Sequence, residues 1–163
     1  MKQLEQLYRE IQPNIYAFFY VKTSNSSIAE DLTHDVFYEA CKGIASFQGK
    51  STLQTWLFSI ARNVLFKYYR SRKYRKNLTE QLQKEHQSKP RTPEQLVVIH
   101  DETNKLLRKI NTLNDLQKEI VILRIYGELS FKEIGELVGK SQNYTRVTFH
   151  RMKLKLQLEM EGK

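Results

Sequence analysis

Cysteine, glycine and proline are all scarce in this sequence of 163 residues. The single cysteine, Cys41, excludes an intramolecular disulfide and the common cysteine spacings of zinc sites. Six glycines and three prolines are too few for a turn-rich sheet protein, whereas abundant Leu, Lys, Glu and Gln favour helices. No apolar run approaches the roughly 18 residues of a membrane span, and no signal peptide is recognisable. We therefore expect an all-α, soluble, cytoplasmic protein.

Acidic residues are missing from two stretches of the chain. None lies between Glu39 and Glu80, whereas nine Lys and Arg residues lie there. Elsewhere basic and acidic residues are equal in number, so this segment accounts for the whole formal charge of +9. The second stretch, from Leu137 to Leu158, holds five Lys and Arg residues. Two cationic surfaces predict two contacts with a polyanion, most simply nucleic acid, although solvated helix faces are the alternative.

The apolar spacing predicts two helical halves. In the first half, helices are expected over about 2–21, from a capping box of Ser27 and Glu30 onward, and over 53–76. Residues 77–92 are polar without apolar periodicity, which indicates a linker or a weak, solvated helix. Thr92 and Pro93 begin the next helix. The sequence therefore predicts two small helical domains, residues 1–76 and 93–163, joined by a flexible linker over 77–92.

A helix-turn-helix is the most specific pattern in the second half. It follows a helix that Asn114 caps and whose inward residues include Ile125. Ser130 with Glu133 caps the first helix of the motif, Gly139 permits a left-handed turn, and Ser141 caps the second helix. Helical geometry places four residues of this second helix on an inward face: Thr145, Phe149, Met152 and Leu156.

The outward face of the same helix combines basic, amide and apolar groups. Such a face suits phosphate contacts, hydrogen bonds to base edges and a methyl contact with thymine. A packed hairpin with a solvated face is the alternative, but the caps, the short turn and the one-sided charge favour duplex DNA. The outward residues include Asn143, Arg146, Val147, His150 and Arg151.

Aromatic residues interleave with the cations between Phe47 and Tyr74. Stacking together with phosphate neutralisation is how proteins hold unpaired bases. Phe47 and Trp56 are predicted to be core residues, because Trp56 lies on the apolar stripe of the helix. The better nucleic-acid candidates lie at the basic end of this helix: Arg62, Asn63, Tyr68 and Tyr69.

An acidic stripe precedes the basic segment. Asp31, Asp35 and Glu39 follow one another at spacings of four on the second helix, where like charges repel slightly. The stripe gives an isolated helix no benefit, so it indicates either a basic partner surface or an ordinary solvated face.

Three stretches of the sequence together resemble extracytoplasmic function sigma factors, the smallest members of the sigma-70 family. They are 29–37 (AEDLTHDVF), Phe47 and Gly49 before 55–63 (TWLFSIARN), and the helix-turn-helix. The likeness covers nearly the whole chain. It implies that residues 1–76 form a region 2 domain and 93–163 a region 4 domain, with no region 3 domain between them. In the family an apolar residue usually stands where this chain has Thr145.

The resemblance implies partners and sites. The partners are core RNA polymerase, promoter DNA in duplex and single-stranded form, and a membrane-associated anti-sigma factor, with a role in a stress response. The acidic stripe, with Leu32 and Val36, would face the clamp helices of the polymerase largest subunit. Ser141 and Gln142 would join the residues that recognise the minus-thirty-five element. The minus-ten element would be melted and captured by Lys50, Arg62, Asn63, Lys67, Tyr68, Tyr69, Arg70 and Arg72.

Other functions explain less of the sequence. The four histidines lie far apart and no phosphate-binding glycine loop is present, so we expect no catalysis, metal or cofactor. A helix-turn-helix regulator of duplex DNA leaves the basic aromatic helix unexplained. A single-stranded RNA-binding protein leaves the helix-turn-helix unexplained.

Overall fold

Helices form all the regular structure in the described part of the chain, as the sequence predicts. The computed structural model describes residues 2–82 and 101–162. Within those residues no helix is long and apolar enough to cross a membrane. The elements are α1 (Lys2–Thr23), α2 (Ser26–Gly43), a short 3-10 turn (Ile44–Ser46), α3 (Leu53–Leu82), α4 (Asp101–Asn111), α5 (Asp115–Ile125), α6 (Phe131–Val138) and α7 (Gln142–Met160).

A tight turn joins α1 to α2. Ser24 has a positive φ of 54°, and Asn25 then returns to an extended conformation. The Asn25 side chain accepts a hydrogen bond of 3.0 Å from the backbone N–H three residues later. The predicted capping box of Ser27 and Glu30 is therefore wrong. Asparagine is as strong a cap as serine, and its earlier position starts the helix sooner.

The first half of the chain packs as three helices around one core. α2 lies against both α1 and α3, so the apolar stripes predicted on all three helices meet. Trp56 packs against this core, as expected, and its ring lies 5.2 Å from that of half-buried Phe47. Burying each large apolar side chain contributes about 1.5–3 kcal/mol. The core includes Ile15, Phe18, Phe19, Val36, Ala40, Leu57, Phe58 and Ala61.

The basic end of α3 extends into solvent. The helix continues past residue 76, where the predicted domain ends, to Leu82, and residues 71–79 are all exposed. Residues 77–82 of the predicted linker therefore belong to α3, and residues 77–79 are exposed. The rest of the predicted linker and the helix start at Thr92 and Pro93 lie outside the described residues.

The second half is built around α5. Asn114 caps this helix by accepting a hydrogen bond from the Gln117 N–H at 2.9 Å, as predicted. Four consecutive residues, Ile120 to Leu123, are fully buried, because α4, α6 and α7 all contact α5. The expectation that Ile125 packs inward is wrong, since it lies exposed at the end of the helix. A central helix buried on several sides has no single apolar stripe to extrapolate.

Candidate nucleic-acid interface

The acidic stripe lies at the surface of α2. Asp31, Asp35 and Glu39 are exposed, and Glu39 forms a salt bridge of 3.0 Å with Lys42. Leu32 and Val36 instead belong to the core, with exposed fractions of 5% and 0%. The surface that a partner can reach is therefore made by the three carboxylates, while the two apolar residues hold the helix in place from below.

The stripe borders a groove whose other wall is basic. The groove lies between α2 and α3 and has a volume of about 860 Å³. Among the described residues, neither Asp31 nor Asp35 forms a salt bridge across it. The acids are thus available to an external partner. Lys67, Arg72 and Arg75 line the basic wall.

Most of the predicted minus-ten residues are accessible. Tyr68 is half-buried against the core, and Tyr69 donates a hydrogen bond of 2.9 Å from its hydroxyl to the Lys22 carbonyl oxygen. Burial raises the pKa of Tyr69 above its usual value. The remaining exposed residues are Lys50 before α3 and, on α3, Asn63, Lys67, Arg70 and Arg72.

Arg62 differs from the other cations of α3 because it is held by the second half of the chain. Its Nε donates to Glu119 Oε1 at 3.0 Å, and its Nη1 donates to the Leu137 carbonyl oxygen. The side chain is only 35% exposed. The structure therefore separates Arg62 from the freely solvated cations with which the sequence groups it.

Phe66 is an exposed aromatic residue outside the predicted minus-ten site. It is 66% exposed and lines a cleft together with Arg62, Asn63 and Tyr69. The sequence contains a signal for it. Phe66 lies off the apolar stripe of α3, so its ring has no place in the core and is free to stack on a base.

The helix-turn-helix forms as the sequence predicts. Ser130 and Glu133 make the reciprocal capping box, Gly139 has a left-handed φ of 72°, and Ser141 caps α7 through the Tyr144 N–H at 3.0 Å. A second glycine is also required. A Cβ on Gly135 would lie 2.5 Å from the Lys140 carbonyl oxygen, so the turn closes directly on α6.

Thr145 joins the two helices of the motif. Its hydroxyl lies 2.8 Å from the Phe131 carbonyl oxygen of α6 and 2.8 Å from the Gln142 carbonyl oxygen of α7. The side chain is fully buried, so a polar residue fits a core position because its hydroxyl has acceptors. As predicted, Phe149 and Leu156 are buried beside it and Met152 packs against the core.

The outward face of α7 is free for a ligand. Arg146 and Arg151 are exposed, and the Arg146 Nη2 donates to the Asn143 side-chain oxygen at 2.6 Å. Val147 is half-buried at the edge of this face. Arg151 lies farther along the helix and lines a cleft together with Asn114 at the start of α5. The other predicted residues of this face, Ser141, Gln142 and His150, are exposed.

The described residues contain no group of three or more His, Cys, Asp or Glu side chains that could hold a metal ion. The candidate sites among these residues are the two basic faces and the acidic stripe.

Two family models match the chain: sigma-70 region 2 over residues 7–75 and sigma-70 region 4 over residues 103–156. The RNA polymerase sigma factor YlaC of Bacillus subtilis is 33% identical over 159 residues, covering 96% of this chain and 91% of that protein. The chain belongs to the sigma-70 family. The extracytoplasmic function sigma factor SigW of the same species is 30% identical, covering 84% of this chain and 78% of that protein.

A solved structure supports the fold of this sigma factor. The sigma factor RpoE of Bartonella quintana, crystallised with the anti-sigma factor NepR, matches with a TM-score of 0.73 at 23% identity, covering 99% of this chain and 98% of that one. The region 2 match spans most of α1 and continues into α3, and the region 4 match contains the helix-turn-helix. The chain is an alternative sigma factor of the extracytoplasmic function type, and it directs transcription.

Proposed function

We propose that this sigma factor binds core RNA polymerase through the acidic stripe and promoter DNA through two basic helices of different character. The observation that carries the proposal is the presence, in one chain, of an exposed helix-turn-helix face and a separate basic, aromatic helix. A regulator of duplex DNA alone needs only the first of these surfaces, and the family match does not favour it.

The acidic stripe is the proposed contact with the clamp helices of the polymerase largest subunit. Asp31, Asp35 and Glu39 present carboxylates at successive turns of α2, and the buried Leu32 and Val36 anchor that face of the helix. The three carboxylates repel one another. Of the three, only Glu39 forms a salt bridge among the described residues, so a partner can supply the cations that offset this repulsion. A basic partner helix would supply them.

The basic face of α3 is the proposed site for the minus-ten element in single-stranded form. The proposed phosphate contacts along the helix are Arg62, Lys67, Arg70 and Arg72. Tyr69 and Phe66 offer partly exposed rings on which unpaired bases can stack. Stacking favours unpaired bases over duplex, so this face suits a strand that has already separated.

The outward face of α7 is the proposed site for the minus-thirty-five element in duplex form. Arg146 lies in the first turns of the helix, which reach furthest into a major groove, and Asn143 orients its guanidinium. Arg151 lies nearer the flank of the helix and suits a phosphate. Base recognition therefore falls to the start of α7 and backbone contact to its middle.

Four further parts of the proposal concern the setting of the protein. The chain acts in the cytoplasm, where bacterial RNA polymerase works, and performs no catalysis of its own. A membrane-associated anti-sigma factor holds it until a stress signal arrives. The sigma factor RpoE of Bartonella quintana, which shares this fold, was crystallised with an anti-sigma factor, which supports an anti-sigma factor as a partner.

Charge reversal of the stripe tests the polymerase contact. We expect Asp35→Lys with Glu39→Lys to weaken binding to core RNA polymerase at least about tenfold, since like charges would then face each other. The matched control reverses two exposed acids of α1, Glu5→Lys with Glu10→Lys. Affinity is measured by fluorescence titration with core enzyme, and transcription from a promoter library reports activity. Equal affinity of both double variants, with unchanged circular dichroism, contradicts the contact.

A further inference from the structure

A charged cluster joins the region 2 domain to the region 4 domain. Glu119 of α5 forms salt bridges with Lys22 of α1 and with Arg62 of α3. Exposed fractions are 14% for Glu119, 12% for Lys22 and 35% for Arg62. One carboxylate thus pairs with two cations from the opposite domain in a partly dehydrated place, where charge pairing is stronger than at an open surface.

Several neighbouring contacts hold the same two domains together. Gln54 donates to the Gly127 carbonyl oxygen at 3.3 Å, and Asn14 donates to the Glu128 carboxylate at 3.3 Å. Phe58, from the core of the first domain, packs against Gly127, where an added Cβ would lie 3.2 Å from its ring. Most of these contacts are polar. Polar interfaces between domains separate more readily than apolar ones, so this arrangement can open.

The cluster occupies a residue that the proposed function assigns to DNA. Two of the five N–H donors of Arg62 are taken up by Glu119 and the Leu137 carbonyl oxygen, so its full guanidinium is not available to a phosphate in this arrangement. Asn63 and Phe66 line the same cleft of about 480 Å³, with Glu119 and Leu137 on its opposite side. The region 4 domain therefore lies over one end of the proposed single-strand site.

We propose that Glu119 is an internal latch that holds the free sigma factor in a closed form with reduced affinity for single-stranded DNA. The inference rests on the proposed role of Arg62 in binding the minus-ten strand. Opening the domains breaks both salt bridges of Glu119 and releases Arg62 to a phosphate. Binding of DNA by Arg62 and closure of the latch thus compete, and weakening one favours the other.

Neutralising Glu119 tests the latch in the full chain. The matched control is Glu136→Gln, because Glu136 lines the same cleft but forms no salt bridge among the described residues. Both variants remove one negative charge near the proposed site. The probe is a fluorescein-labelled, mixed-sequence single-stranded DNA, and small-angle scattering reports the radius of gyration. We expect Glu119→Gln to bind the probe about five- to tenfold more tightly and to expand, and Glu136→Gln to do neither.

A second variant keeps the test decisive if Glu119→Gln fails to fold. Lys22→Gln breaks the latch from the other side and removes a positive charge, so tighter binding by this variant cannot come from simple electrostatic attraction. If both Glu119→Gln and Lys22→Gln match the wild type in affinity and radius, the latch is overturned. Transcription by the wild-type chain with core polymerase tests the proposed function separately. If the wild type supports transcription but neither variant changes its radius of gyration, the latch is rejected and the proposed function stands.

Discussion

The two basic helices of this sigma factor differ in how their arginines are held. On α7, Arg146 and Arg151 are exposed, and Arg146 donates a hydrogen bond to Asn143 on the same helix. On α3, Arg62 bonds to α5 and α6, whereas the later cations of the helix face solvent. A DNA-binding face can thus be ready on one domain and partly occupied on the other. Positive charge on a helix predicts an anion-binding surface, but internal partners decide whether that surface is free.

The largest expected effect concerns the two sides of α3. Phe58 is fully buried, with its ring 5.8 Å from that of Phe18, and it also meets Gly127. We expect Phe58→Ala to lower the free energy of unfolding by about 3–5 kcal/mol. Phe66→Ala, on the same helix but exposed, should change it by less than about 0.5 kcal/mol. Urea denaturation followed by circular dichroism measures both. Equal losses would mean that Phe66 also packs inward.

A smaller effect should separate the two arginines of α7. Arg146→Ala should cost about 1–3 kcal/mol of binding and relax preference at one base pair, because a bidentate arginine recognises guanine. Arg151→Ala should weaken all sequences alike and flatten the salt dependence. Binding to single-base variants of the upstream promoter element, at several salt concentrations, distinguishes them. The assignment fails if Arg151→Ala is the variant that loses discrimination.

The helix-turn-helix could be predicted in detail because its signals are local. Ser130 and Glu133 stand three residues apart, and Gly139 and Ser141 mark the turn within a few residues. The inward face of α7 follows from helical geometry alone, which is why the burial of Thr145 was predicted. The acceptors that make that burial possible, the carbonyls of Phe131 and Gln142, needed the structure.

The salt bridge of Arg62 could not be predicted because its partner is distant in sequence. Glu119 lies 57 residues away, and no spacing rule joins two charges across separate domains. The exposure of Ile125 was missed for a related reason, since the packing of three helices around α5 determines it. The cap of α2 was predicted two residues too late, at Ser27, whereas Asn25, an equally strong capping residue, begins the helix.

Thr145 offers a sharper test of how α7 is held against α6. Thr145→Val keeps the shape of the side chain and removes the hydroxyl that joins the two helices. We expect a loss of about 0.5–1.5 kcal/mol in the free energy of unfolding. Thr148→Val is the control, because Thr148 is half-buried on the same helix and its side chain forms no hydrogen bond among the described residues. A stability gain in Thr145→Val would show that an apolar residue suits the position better.

The smallest expected effect concerns Tyr69, whose ring belongs to the proposed DNA face while its hydroxyl bonds to α1. Tyr69→Phe keeps the ring and removes the hydrogen bond to the Lys22 carbonyl oxygen. Because the residue is partly exposed, we expect the free energy of unfolding to fall by less than about 1 kcal/mol. Binding to single-stranded DNA should be unchanged. A large loss of DNA binding would instead mean that the hydroxyl, and not the ring alone, contacts DNA.

The contribution of that hydroxyl should also depend on pH. Burial is the main cause that raises the pKa of Tyr69 above the ordinary value of 10.0. The folded protein therefore favours the protonated hydroxyl, whose stabilising effect is fully present below a pH of about 10 and is lost as pH rises through the folded pKa.

Tyr16 and Tyr126 have raised pKa values as well, so the wild type alone is not informative. The stability difference between wild type and Tyr69→Phe isolates one group. We expect this difference to be constant from neutral pH to about 9 and to shrink above about 10. A difference that persists unchanged at higher pH would mean that the proton of Tyr69 takes no part in holding α3 against α1.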